Sequence, residues 1–243
     1  AVRQALAAPG LELVGLHIHL GSPIFETEPY REGVETVLRF AAQMQAEHRF
    51  EMREFSPGGG FAIAYLRTKP APPVSAYAEA ITGTLKERAS ALGLAAPKLI
   101  IEPGRSIVGR AGVALYRVGA RKEIPGIRTY VSVDGGMSDN IRPALYEAKY
   151  EALAVNKIDR KPAERLTIAG KHCESGDILV KDVDLPKLEP GDIVALPVSG
   201  AYCLAMSSNY NASLKPAVVL VKDETARVIQ RRETLEDLIR RDI

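Results

Sequence analysis

The chain has 243 residues, 46% of them hydrophobic and 26% charged, with a formal net charge of +2, which describes a globular protein with a sizeable core and excludes disordered, collagen-like and mucin-like classes. No apolar run approaches the roughly 20 residues that span a bilayer, and the near-balanced charge gives no electrostatic reason to expect a membrane or nucleic acid as partner. The start, AVRQALAAPG, lacks the apolar stretch of a secretory signal, so a cytoplasmic protein is the default. In chain order, the first element is a strand-like run, LELVGLHIHL. Leu16, Ile18 and Leu20 alternate there with His17 and His19, placing both histidines on one face before Gly21 and Ser22 end it. Thr27 is a candidate cap and Pro29 suits a first turn for a helix from Tyr30 to His48, with Val34, Val37, Leu38, Ala41 and Met44 at helical spacing. A strand near Met52 to Ser56 runs into Gly58-Gly59-Gly60. A Pro-rich loop at Lys69 to Pro73, a helix from Ser75 to Leu92 and a strand from Lys98 to Glu102 follow.

Alternating strands and helices imply a parallel α/β sheet or barrel with its chemistry at the carboxyl ends of the strands. After Arg105 the texture changes. Ile107 to Arg121, Arg128 to Val133, Arg165 to Ala169, Asp192 to Pro197 and Ala217 to Val221 are short β-rich runs separated by turn residues, which read as a separate all-β domain. Lys222-Asp223-Glu224 reads as a hairpin turn, and Thr234 as the cap of a terminal helix, Leu235 to Arg241. The domains expected are residues 1–105, 106–232 and the helix 233–243.

Each strand end carries chemistry with a bland alternative. A triple glycine exposes backbone N–H groups to a phosphate, or simply makes a tight turn. His19 offers stacking or acid–base chemistry, or is a satisfied core histidine. Glu102-Pro103-Gly104-Arg105 presents a carboxylate to a protonated ring nitrogen and a guanidinium to an oxyanion, or closes on itself as a salt bridge. Further on stand Asp134-Gly135-Gly136, then Arg142 to Tyr146, and Cys173-Glu174-Ser175-Gly176-Asp177 with a thiol beside an acid. Gly200-Ala201-Tyr202 and Ser207 to Asn211 read otherwise as loops with a structural tyrosine. Cys173 and Cys203 make neither a disulfide framework nor a zinc spacing, so no metal is expected.

In order, the blocks GLHIHLGSPI, PGGGFAIAY, IIEPGRSIV, VDGGMSDNIRPALY, CESGDIL and GAYCLAMSSNYN resemble the fold type III, alanine-racemase-like pyridoxal-phosphate decarboxylases. CESGD and RPALY point to the branch acting on meso-diaminopimelate. The resemblance implies the carboxyl-terminal part of a PLP-binding (β/α)8 TIM-like barrel followed by an all-β, sandwich- or barrel-like domain. It implies loss of CO2 from meso-diaminopimelate and protonation of the α-carbon to give L-lysine. His19 is then expected to stack on the cofactor ring and to belong to the catalytic set. Ser22 and Gly58, Gly59 and Gly60 are expected to hold the cofactor phosphate. Glu102 pairs the ring nitrogen in this reading, with Pro103 and Gly104 lining the same turn. Arg105, Arg142 and Tyr146 surround substrate carboxylates, Glu174 recognises the distal amino-acid end, and Tyr202 touches cofactor and substrate. Cys173 is the implied proton donor. A homodimer with a shared active site, its CESGD loop donated across the interface, is also implied.

The lysine that anchors the cofactor in this family lies upstream of the GLHxHxGS block, whereas the first lysine here is Lys69. With Ala1 at its start and three recognisable barrel strands, the chain reads as a fragment lacking the first half of the barrel, inactive alone. The alternatives are a decarboxylase of another basic amino acid or polyamine precursor, and a non-catalytic homologue that binds a ligand or partner.

Overall fold

A computed structural model describes all 243 residues. The chain opens on a short helix, α1 (Val2–Ala7), that the sequence reading missed, and then enters β1 (Gly15–His17). The strand is shorter than the alternating run suggested: the amide of Ile18 still donates to Ser56 at 2.9 Å, but the chain then bends toward Gly21, whose φ is +123°. Helix α2 (Glu28–His48) buries Tyr30, Val34, Val37, Leu38, Ala41 and Met44, the i, i+4, i+7 stripe that its spacing requires. Thr27 does not cap it. Its backbone is itself helical (φ −92°, ψ −21°), so its side chain makes no bond to the first-turn amides, and Pro29 supplies the pre-set first turn instead.

Strand β2 (Glu54–Ser56), helix α3 (Val74–Ala91) and strand β3 (Lys98–Leu99) complete the repeats. Strands β1, β2 and β3 are parallel in that order, with Leu16 beside Phe55 and Phe55 beside Leu99. Tyr77, Ile81 and Leu85 of α3 meet α2 and Phe55 in one core, in which Tyr30, Leu38 and Phe55 are fully buried. Each large apolar side chain there contributes roughly 1.5–3 kcal/mol by leaving water. A helix, α4 (Gly104–Val108), follows β3 where the sequence suggested the first strand of the β-domain.

The chain divides at this point into two units, Ala1–Val108 and Gly109–Ile243. The second contains β4 (Ala114–Ile124), β5 (Arg128–Val133), the short helix α5 (Arg142–Tyr146), β6 (Leu153–Ala154), β7 (Glu164–Ala169), β8 (Ile178–Leu185) and β9 (Ile193–Leu196). They form one six-stranded sheet in the order β6-β9-β4-β5-β7-β8, antiparallel except for the β5–β7 pair. Its core is built from alternate strand residues, among them Val118, Val131, Leu166, Ile168, Leu179 and Leu196. Strand β8 was not anticipated, because Asp182 and Asp184 interrupt its apolar alternation.

Strands β10 (Val218–Lys222) and β11 (Thr225–Gln230) pair only with each other through the anticipated turn, where Asp223 and Glu224 have φ of +48° and +58°. Helix α6 (Leu235–Ile239) belongs to the second unit, and Asp237 accepts the Thr234 amide at 2.8 Å across its first turn. No helix is long and apolar enough to cross a membrane.

Candidate active site

Because β1, β2 and β3 are parallel, the loops that follow them leave the sheet on one side, and each carries predicted site residues. These loops are hydrogen-bonded to one another. The Glu102 amide donates to the Gly58 carbonyl at 3.1 Å and the Ile24 amide to the Gly60 carbonyl at 2.8 Å. Gly58 and Gly60 have φ of +78° and +90°, and a Cβ built on Gly59 would stand 2.0 Å from the Glu102 carbonyl oxygen. Only glycine permits both the turn and the approach. From beneath, the buried Tyr30 hydroxyl donates to the Gly59 carbonyl at 2.8 Å, and burial pushes that phenol up to about 12, so it remains a donor.

On the open side of this turn the Gly59 amide is directed at His19 Nδ1, 3.5 Å away. Glu102 Oε1 lies 3.2 Å from His17 Nε2, both side chains about half-exposed. Arg105, 7% exposed, donates to the Ser22 hydroxyl from Nη2 at 3.1 Å and Nε at 3.4 Å, and to the Tyr65 hydroxyl from Nη1 at 2.5 Å. The Glu102 and Arg105 side chains, three residues apart, thus serve different neighbours. Pro103 and Gly104 make the bend between them, with the Gly104 amide on the Glu102 carbonyl at 3.0 Å.

The Ser22 hydroxyl after β1, the glycine turn after β2 and the Arg105 guanidinium after β3 form a donor set suited to a phosphate dianion, and the Glu102 carboxylate, also after β3, suits a cationic ring nitrogen. That donor chemistry fits pyridoxal phosphate. Tyr65 and Tyr30 were not singled out from sequence. Nothing near either residue marks it, since each acquires its role across a long loop.

In the second unit, Arg142 is 6% exposed and donates from Nη1 to the Tyr150 hydroxyl at 2.5 Å. Its guanidinium carbon lies 5.8 Å from the Tyr150 ring centroid and 5.7 Å from that of Tyr202, within cation–π range of both. Tyr202 adopts a left-handed backbone (φ +69°) with its ring partly exposed, and Tyr146 is exposed at the end of α5. Cys203 is buried beside the Tyr150 hydroxyl at 3.5 Å, whereas Cys173 is exposed.

The CESGD turn is anchored by its last residue. Asp177, 3% exposed, accepts the Met137 amide at 2.6 Å and the His172 amide at 2.8 Å, and a Cβ on Gly170 would fall 2.1 Å from its carboxylate. Asp139 holds the Gly135-Gly136 turn, accepting the Tyr116 hydroxyl at 2.6 Å and the Gly136 amide at 2.9 Å; burial pushes both Tyr116 and Asp139 up. Within the turn so held, Glu174 accepts a hydrogen bond from the Tyr210 hydroxyl. An open cleft of about 650 Å³ nearby is lined by Cys173, Lys171, His172, Asn211 and Arg232 among others. Sequence reasoning had placed Cys173 and Glu174 in a turn, but it had assigned nothing to Asp177 and left Tyr210 as loop chemistry.

The family model described as pyridoxal-dependent decarboxylase, pyridoxal binding domain, matches residues 1–109. The diaminopimelate decarboxylase of Bacillus subtilis (strain 168) is 44% identical over 243 residues, covering all of this chain and 55% of the relative. That of Synechocystis sp. is 45% identical over 234 residues, covering 96% of this chain and 50% of the relative. Among solved structures, diaminopimelate decarboxylase from M. jannaschii in co-complex with L-lysine superposes with a TM-score of 0.91 at 36% identity, over 100% of this chain and 54% of that one. The Helicobacter pylori enzyme complexed with L-lysine gives a TM-score of 0.85 at 34% identity, over 98% of this chain and 56% of that one. The chain spans about half the length of the curated relatives it matches. Over its whole length the chain is similar to about half of the diaminopimelate decarboxylases, and its first 109 residues match the pyridoxal binding domain of pyridoxal-dependent decarboxylases.

Proposed function

We propose that this chain forms part of a decarboxylase that converts meso-2,6-diaminopimelate to L-lysine and CO2 with pyridoxal phosphate as cofactor. The observation that carries the reading is the set of polar groups gathered at the ends of three parallel strands: the Gly58–Gly60 turn, the Ser22 hydroxyl with Arg105, and the Glu102 carboxylate. In this reading Ser22 and the glycine amides hold the phosphate, Glu102 faces the ring nitrogen, and His19 lies against the ring. When bound, the cofactor supplies the electron sink that takes the electron pair left as CO2 departs.

The remaining residues act on the substrate. The resemblance assigns Arg105, Arg142 and Tyr146 to the carboxylates of the substrate, Glu174 to its distal amino-acid end, and Tyr202 to cofactor and substrate. The leaving carboxylate has no such clamp, because anchoring it in the ground state would oppose its loss. Cys173 delivers the thiol proton to the α-carbon. In this reading the cofactor-anchoring lysine lies in the remaining part of the protein, which also completes the barrel. The functional unit is a cytoplasmic homodimer whose CESGD loop serves the partner's site.

The whole-length protein supplies the test. Given pyridoxal phosphate, it is expected to release CO2 from meso-diaminopimelate in preference to lysine or ornithine, and Glu174→Ala is expected to reduce that preference selectively. Turnover of another basic amino acid instead would reassign the substrate. No turnover of any, with the donor residues intact, would favour a non-catalytic homologue. The isolated 243-residue chain is expected to be inactive.

A further inference from the structure

We propose that Tyr210 is the positioning residue for Glu174, fixing through its hydroxyl the carboxylate that selects the distal ammonium of the substrate. This rests on the function proposed above. Glu174 stands in an exposed turn on a side chain with three rotatable bonds, and a carboxylate free to sweep loses that freedom each time it binds a cation. The Tyr210 hydroxyl donates to Glu174 Oε1, which leaves Oε2 to accept from a ligand.

Tyr210 is itself held in place. Its ring meets the His172 ring edge-on at 5.5 Å between centroids, and its amide donates to the Ser208 hydroxyl at 3.4 Å. The Ser208 amide donates to the Ser138 carbonyl at 2.8 Å, while His172 Nε2 shares a hydrogen bond with the Ser138 hydroxyl at 3.0 Å. Ser138 therefore ties down both the segment that carries Tyr210 and the segment that carries Glu174, and Asp177 fastens the second again through the His172 amide. Two loops distant in sequence are locked in one frame, and the phenol–carboxylate bond is where they meet. A phenylalanine at this position would keep the ring against His172 and lose only the donor. The hydroxyl thus acts on the carboxylate rather than on the fold.

The experiment uses the whole-length decarboxylase and two readouts. Tyr210→Phe is expected to raise KM for meso-diaminopimelate about tenfold with kcat within about twofold, as loss of a charge-assisted bond that acts on binding predicts. In a Glu174→Gln background the same change is expected to add less than about twofold, because the bond it removes has already lost its charged acceptor. Equal effects in both backgrounds would overturn the proposal. The second readout needs no substrate. With ring-labelled tyrosine, NMR titration of the Tyr210 phenol is expected to move down in Glu174→Gln, and an unmoved titration would also overturn the proposal. If the wild-type enzyme ignores meso-diaminopimelate while the titration moves, the pairing stands and the substrate assignment alone falls.

Discussion

The guanidinium of Arg105 reaches the hydroxyl of Ser22 at 3.1 Å, joining the loop after β1 to the helix after β3. One planar group thus spans Ser22 and Tyr65 together, which a lysine ammonium cannot reproduce in the same geometry. Arg105→Lys in the whole-length protein is expected to weaken pyridoxal phosphate binding about tenfold, through loss of the forked donor. Fluorescence titration of the cofactor measures it, and wild-type affinity would remove Arg105 from the cofactor's surroundings.

Tyr30→Phe leaves the Gly59 carbonyl without its buried donor and is expected to destabilise the first unit by roughly 1–3 kcal/mol. Its pH signature is specific. A phenol raised by burial to about 12 contributes stability that is fully present below its unfolded value near 10 and is lost as pH rises toward about 12. Alkaline melting curves of wild type should steepen in that window. Those of Tyr30→Phe should lose that component, and parallel curves would count against the assignment.

How much of this was legible follows from how each residue gets its place. Helix α2 was readable because six buried positions repeat along the chain itself. Strand β3 was over-read, since only Lys98 and Leu99 find ladder partners on β2. Ile107 and Val108 looked like the start of a β-rich run from their apolar, β-branched content, yet they belong to a helical turn that closes through the Ile107 amide on the Pro103 carbonyl. The placement of His19, Gly58–Gly60 and Glu102 just after β1, β2 and β3 was readable because strand ends are marked by local composition. Tyr65, Asp177 and Tyr210 were not, because their partners Arg105, Met137 and Glu174 come from other loops.

Asp177→Asn preserves shape but replaces one acceptor oxygen by a donor facing an amide. One of the Met137 and His172 N–H groups then loses its partner, at an expected cost of roughly 1–3 kcal/mol. The expected sign is faster hydrogen exchange at both amides, with the turn bearing Cys173 and Glu174 cut more readily by protease. Unchanged protection at both amides would show that the turn is held elsewhere.

Acid should weaken the second unit through Asp192, which is 7% exposed and accepts from Lys157 at 2.5 Å, Asn156 at 2.6 Å and the Glu189 amide at 2.8 Å. Burial pushes its carboxyl up, but these donors outweigh burial and hold it below the ordinary value. A carboxyl depressed on folding stabilises above its unfolded value, about 3.9, and that contribution is lost as pH falls through the folded one. Thermal melts taken below about pH 4 should therefore drop in wild type and flatten in Asp192→Asn. An identical acid slope in both would count against this site.

The close approach of Gly59 to the Glu102 carbonyl has a consequence for how such a sequence can change over time. Every codon change at Gly59 that alters the residue adds at least one carbon where 2.0 Å of space exists, so no first mutational step is mild. Relief would require a simultaneous retreat of the segment that carries Glu102. In saturation mutagenesis read out by growth, Gly59 should therefore tolerate no replacement, and the placement of an acid is inherited through an atom that must never be added.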